Sequence, residues 1–344
     1  AGDGSSYFPY ATISHALGLA GPGCAVKIHP GTYGGGIYMD RLEGEANAPI
    51  WIGGADPDHP PHIFQGPTGI QVSRGKYLIL HDLEVSGSAY NGINFDDGGE
   101  VANPGAAHHI LFKTLHIHDI GGSGNQDGLK LSGINEFFVL FCRFARCGGG
   151  GSGLDHVGCH NGVIAWSQFE DLGANAIQVK GGSSHIRIQW NRITNAGERG
   201  INMGGSTGFA YFRPPLPHAG GSVESKNILV FSNLFEGSAT PVAFVGTVNS
   251  RVEHNTLVNP DRWLMRILQE TTTLNGIDFL PCSSNTFAGN LVYYDYSQLR
   301  THLNIGSNTA PETFVFSSNL WYAHDDPSRS RPFLPAAETS GVYG

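Results

Sequence analysis

Lysine is scarce in this sequence, with six in 344 residues. One of them, Lys180, closes the alternating run NAIQVK (175–180) and is followed at once by Gly181 and Gly182. A lysine becomes a proton acceptor only when desolvation or a neighbouring cation favours its neutral form. Lys180 is read as a candidate base. Four residues hold matched places in similar short runs: Lys130 in GLKL, Asp155 in GLDH, Gln178 in AIQV and Asn202 in GINM. Together they offer a cation, a carboxylate and two amides to a polar ligand. Arg199 precedes GINM, and Arg266 lies in DRWLMRILQE (261–270). Either guanidinium can clamp a ligand carboxylate; for Arg266 an ion pair with Glu270 is the alternative. Asp127 and Asp155 form a second set, because carboxylates about 5–9.5 Å apart support hydrolysis of a glycosidic bond.

These residues need a scaffold that repeats. Short first strands read GINF (92–95), GLKL (128–131), GLDH (153–156), AIQV (176–179), GINM (200–203) and VAFV (242–245). Second strands follow, from HILFKTLHI to TFVFSSNLW. Aligned on these, the corners fall at Thr114, Cys142, Ser167, Asn191, Asn233, Asn255, Asn290 and Asn319. Their spacing never drops below 22 residues and stretches to 42 where turns carry insertions. A repeat of this length with period-2 alternation predicts an all-β, single-domain parallel β-helix, in which each coil stacks on the last. The late Asn residues are expected to stack as a ladder at one bend.

In a strand written G-φ-x-φ-x, the x side chains point outward. Stacked coils turn them into columns: Asn94, Lys130, Asp155, Gln178, Asn202 and Arg266 in the first, and Asp96, Ser132, Val157, Lys180 and Gly204 in the second. Coils about 4.8 Å apart make Lys130 to Asn202 a polar strip roughly 15 Å long. Two insertions, 96–108 and 204–226, are long enough to wall it. The second carries Phe209, Tyr211, Phe212, Arg213 and His218. Its aromatics either stack on sugar rings or pack onto the solenoid. His160 is a further candidate beside the strip, whereas the alternation turns His156 inward, as a core histidine.

Composition narrows the function. Glycine is 49 of 344 residues and charged residues are 14%. The net charge is −9, with no Lys/Arg run, so there is no electrostatic footprint for nucleic acid. No apolar stretch of about 18 residues exists, so no membrane span is expected. The sixteen histidines show no H-E-x-x-H spacing, so no zinc enzyme is expected and no metal ligands are assigned. Ca²⁺ is allowed for at Asp96/Asp97 or Asp127/Asp155; no cofactor is required. Five cysteines (Cys24, Cys142, Cys147, Cys159 and Cys282) form no C-x-x-C pair. Either one disulfide joins neighbouring coils or the thiols are buried and free. The opening AGDGSS shows no signal peptide; a mature secreted or periplasmic protein, acting as a monomer, is expected.

The opening GDGS…PYATI…PGTY and the coils after residue 60 resemble the right-handed parallel β-helix superfamily, which includes pectate lyases and alginate lyases. The resemblance spans nearly the whole chain, 1–344. A cap (1–24) with a helix near 9–19 precedes coils (25–323) and a tail (324–344) expected on the surface or over the far end. IQVKGGS resembles the strand carrying the catalytic lysine of polysaccharide lyase family 6 alginate lyases. That family has an arginine at the matching column of the next coil, where this chain has Gly204; Arg199, Arg213 or Arg266 would substitute. The resemblance implies a polysaccharide lyase cleaving a uronate-containing glycan by β-elimination, with Lys180 as base and Ca²⁺ or arginine neutralising the carboxylate. Alternatives are a glycoside hydrolase using Asp127 and Asp155, a C5-epimerase using Asp155, His156 and His160, and a non-catalytic glycan-binding solenoid. NQDG (125–128) resembles part of the polygalacturonase pattern, without its Asp-Asp pair or Gly-His-Gly.

Overall fold

The computed structural model describes residues 2–122 and 124–344. Its first coil consists of strands Ala25–Ile28, Thr32–Gly34 and Ile37–Asp40. Each strand pairs, in parallel, with the equivalent strand of the following coil. Three sheets result. The first runs from Ala25–Ile28 to Glu338–Thr339, the second from Thr32–Gly34 to Val342–Tyr343, and the third from Ile37–Asp40 to Leu303–Ile305. A parallel pair needs a long crossover, and here the remainder of each coil supplies it. The antiparallel strand pair Thr273–Leu274 with Ile277–Asp278 lies in an insertion.

The alternation directs the core as expected. Ile93 and Phe95, Leu129 and Leu131, Ile177 and Val179, and Ile201 and Met203 are all buried. They belong to one continuous apolar core along the solenoid axis. Full burial of each such side chain stabilises the stack by about 1.5–3 kcal/mol. His156 also points into this core, stacked on Phe137 at 5.2 Å. Its Nδ1–H donates to the Gln178 carbonyl at 2.9 Å. Burial depresses its pKa to about 4, so it sits there neutral.

The corner asparagines form the ladder. The backbone N–H of Asn191, Asn233, Asn255 and Asn290 each donates at 2.9 Å to the side-chain oxygen of the next Asn in the series. Glu338 closes the series by accepting from the Asn319 side chain at 2.7 Å. Residues 324–344 therefore do more than lie on the surface, because Glu338–Thr339 and Val342–Tyr343 extend two of the sheets.

At the other end, the helix is shorter than expected, Ile13–Gly18, with Thr12 as its cap. Ile13 and Leu17 bury its apolar face on the first coil, covering the open core. Among the described residues, no helix is long and apolar enough to cross a membrane. All five cysteines are free, and burial pushes the thiols of Cys142, Cys147, Cys159 and Cys282 up to about 12.

Candidate functional site

The third sheet carries the outward columns. Strand register places Asn94, Lys130, Asp155, Gln178 and Asn202 in one line on five successive coils. The line continues through Ala243 to Arg266 and Asn304. Lys180 pairs with Val157 in the neighbouring column. A third column, Ser152, Asn175 and Arg199, precedes both.

The polar strip is organised around Asp155, whose side chain is 1% exposed. Lys130 spans two carboxylates: its Nζ donates to Asp127 Oδ2 at 3.1 Å and closely contacts Asp155 Oδ2. On the other side, Lys180 Nζ stands 3.6 Å from the same Asp155 oxygen. The two ammonium groups thus flank one buried carboxylate, and their side chains are 17% and 16% exposed. Burial works to raise the pKa of Asp155, but the charges of Lys130 and Lys180 outweigh it and hold the group ionised. Asp127 goes the other way. Burial and the negative charge of Asp155 push it up to about 6, against the pull of Lys130. Lys130 is itself held in its charged form, the two carboxylates outweighing its burial. The contact between Lys130 and Asp127 was not foreseen; Asp127 lies just before the strand Leu129–Ser132, three residues ahead of Lys130.

Amides complete the strip. Asn175, absent from the sequence expectations, donates to Gln178 Oε1 at 2.7 Å. Asn202 donates to the Gly204 carbonyl at 3.3 Å. Asp155 Oδ1, Asn175 Oδ1, Asn202 Oδ1 and Arg199 Nε are buried yet have no hydrogen-bond partner among the described residues. Each such orphan costs about 1–3 kcal/mol until a ligand or water satisfies it.

The arginines take places other than those expected. Arg213 is withdrawn from any ligand. Its Nε and Nη2 donate to the two oxygens of Asp97 at 2.7 and 2.8 Å, in a buried bidentate pair. The stem of Arg213 lies on a row of glycines, where a Cβ at Gly158 would meet its Cδ at 2.4 Å. Gly133, Gly158 and Gly181 have φ of 70°, 62° and 67°, a left-handed turn that tolerates little else. This pair straps the 204–226 insertion to the 96–108 insertion. His160 serves the same wall and does not face the strip: its ring bonds Ser184 Oγ at 2.8 Å and the Arg213 carbonyl at 3.1 Å. Burial lowers its pKa to about 4. An epimerase built on Asp155, His156 and His160 therefore loses two of its three members.

Arg199 donates to Glu270 at 3.0 Å, and Arg266 to Asn304 at 2.9 Å while lying over Trp263. The pairing considered between Arg266 and Glu270 is thus taken by Arg199. By register Arg266 is three coils beyond Gln178, roughly 14 Å along the strip. Neither arginine stands where Gly204 left a gap. Within the insertion, Phe212 is buried against Phe279, whereas Phe209 and Tyr211 remain exposed at 41% and 61%. Glu224, also unforeseen, is fully buried. Its carboxylate accepts from the Gly181 and Thr207 amides and from the Thr207 and Thr271 hydroxyls. It fixes the turn just after Lys180.

Comparison with known proteins agrees with this fold. A family profile described as "Right handed beta helix region" matches residues 62–213. This is a right-handed parallel β-helix. Among solved structures, this β-helix is similar to an alginate lyase from Paenibacillus sp. str. FPU-7, with a TM-score of 0.60 and 16% identity over 88% of this chain and 95% of that one. It is also similar to a GH136 lacto-N-biosidase from Eubacterium ramulus, with a TM-score of 0.62 and 12% identity over 100% of this chain and 66% of that one. A third is a mannuronic acid specific polysaccharide family 6 lyase from human gut microbiota, with a TM-score of 0.53 and 17% identity over 96% and 80% of the two chains. Identities this low establish the shared fold, and the site must be argued from its own residues. No protein of curated function matches the chain.

Proposed function

We propose that this β-helix is a secreted or periplasmic carbohydrate-active enzyme that cleaves a uronate-containing glycan by β-elimination. The observation that carries the reading is the pair of lysines on either side of buried Asp155, on a polar strip with a strapped-down wall. Lys180, after its ammonium proton has passed to solvent and left Lys130 as the cation on Asp155, takes the proton from C5 of the uronate. Lys130, held by Asp127 and Asp155, opposes the uronate carboxylate and so stabilises the negative charge that develops. The C5 electron pair forms the C4=C5 double bond as the C4–O bond breaks. The proton on Lys180 then passes to the departing oxygen. Orphaned oxygens of Asn175 and Asn202 suit sugar hydroxyls, and Tyr211 has a free ring face to offer. Arg199 and Arg266 suit a carboxylate further along the chain. The Asp127–Asp155 pair is matched to the Lys130 ammonium rather than to Ca²⁺, so no step is routed through calcium.

A screen over acidic and neutral polysaccharides, read for both double bonds and reducing ends, tests the reading. Ultraviolet-absorbing unsaturated product is expected, and Lys180→Ala should lower it at least 100-fold. Full activity of Lys180→Ala would remove the mechanism. One observation favours hydrolysis instead: Asp127 and Asp155 lie close together with their pKa values driven apart. Their near-complete burial beneath Lys130 counts against it. Reducing ends without double bonds, abolished by Asp127→Asn and not by Lys180→Ala, would select that reading.

A further inference from the structure

The outer face of the second sheet holds a cluster that the proposed chemistry does not use. His62, Glu84 and His116 are register neighbours on three successive coils. His118 lies on the same face two residues beyond His116. Glu84, His116 and His118, all half-buried, each present one donor atom, and the three atoms lie within 4.8 Å of one another. The His116 and His118 rings are 4.3 Å apart. His62 stands beside them, its Nε2 bonded to Ser86 Oγ at 2.7 Å and 3.8 Å from Glu84 Oε1.

The hydrogen bonding around His118 says what belongs there. Its Nδ1 is 2.6 Å from Asp119 Oδ2, so Nδ1 carries the proton. Arg146 clamps Asp119 at 2.6 and 2.8 Å, fixing that contact. A neutral His118 then turns the lone pair of Nε2 toward Glu84 Oε1, only 3.1 Å away. Two acceptors that close repel unless a cation sits between them. That cation is either a second proton on the ring or a metal ion. Among the described residues the His116 side chain has no hydrogen-bond partner, so its donor atom is uncommitted. Two imidazoles and a carboxylate, one imidazole backed by a second carboxylate, suit a first-row transition metal and not Ca²⁺ or Mg²⁺.

We propose that Glu84, His116 and His118 bind a divalent transition-metal ion of the zinc type, with His62 beside it and Asp119 as the positioning residue for His118. The ion would clip neighbouring coils of the solenoid together on a sheet other than the one carrying Lys180. The spacing of 32 residues between Glu84 and His116 hides this from any local motif.

The test uses the intact, chelator-treated protein titrated with zinc chloride at neutral pH by calorimetry, with melting temperature as a second readout. One saturable site of micromolar affinity or tighter is expected, with a rise in Tm. His116→Ala and His118→Ala should each weaken binding at least tenfold. Asp119→Asn leaves every donor in place and should still weaken it about 10–100-fold. His109→Ala, on an exposed histidine pair elsewhere, should bind as the parent does. Circular dichroism confirms that each variant is folded. Absence of a saturable site, or unchanged binding in the His116→Ala/His118→Ala double variant, would overturn the proposal and leave the second ring proton as the bridging cation.

Discussion

Replacing Lys130 with methionine isolates the electrostatics of the strip, because methionine keeps most of the apolar stem and removes only the charge. Asp127 and Asp155 are each 1% exposed, and Lys130 contacts both. Without it, Asp155 keeps Lys180 at 3.6 Å and Asp127 keeps only its bond from the Ser152 amide. Breaking a buried pair from one side costs about 3–5 kcal/mol, since the remaining charge stays desolvated. At 1.36 kcal/mol per pKa unit, that corresponds to roughly two to four units shared between the two carboxylates. Their folded pKa values then lie above their unfolded ones. The stabilisation from protonation is complete below the unfolded value, near pH 4, and is lost as pH rises through the folded values. Urea unfolding of parent and Lys130→Met at pH 4.5 and pH 8 measures this directly. The variant should lose about 3–5 kcal/mol at pH 8 and less than half of that at pH 4.5. Adding Asp127→Asn should recover at least half of the loss at pH 8. A loss below about 1 kcal/mol, or the same loss at both pH values, would refute the buried-charge account.

Four further outcomes follow from the same geometry. Lys180→Ala should cost activity at least 100-fold while lowering stability much less than Lys130→Met, because its contact with Asp155 is longer; activity assays beside urea melts check both. Asp127, raised to about 6, should contribute about 2 kcal/mol more stability at pH 4 than at pH 7, measured as the difference in pH dependence between the parent and Asp127→Asn. Arg213→Ala leaves Asp97 buried without its partner and should free the 204–226 wall, seen as new protease cuts there and a raised KM with a smaller change in kcat. Asn255→Ala removes one rung of the corner ladder and strands the Asn233 amide, at about 1–3 kcal/mol, measurable as a lower denaturation midpoint.

Much of this architecture is legible in the sequence because a strand alternates with a period of two and a coil repeats it. Ile177 and Val179 had to face inward once Gln178 and Lys180 faced out, and the recurring Asn corners located the ladder. The columns followed from stacking, and Arg266 fell in line with Gln178 and Asn202. What failed was partner choice. Arg213 was free to reach several carboxylates, and its capture by Asp97, 116 residues away, depends on how two insertions fold over a glycine row. His160 looked outward by position but is covered by that same segment. Asn175 and Glu224 lacked any local signal: one sits where the alternation breaks at a corner, the other inside an insertion with no period.

The asparagine ladder also works as a ruler. Each amide reads the height of the coil above it, donating through its own backbone and accepting through its side chain, so it tolerates no slip between the strand and the corner. Extra chain is admitted only elsewhere on the circuit, which is why coil spacing ranges from 22 to 42 residues while the ladder stays unbroken from Asn191 to Asn319. New walls can be grown beside the strip, or lost from it, without moving Lys130, Asp155 or Lys180 relative to one another. Such a solenoid can change what it grips while keeping fixed how it would cut.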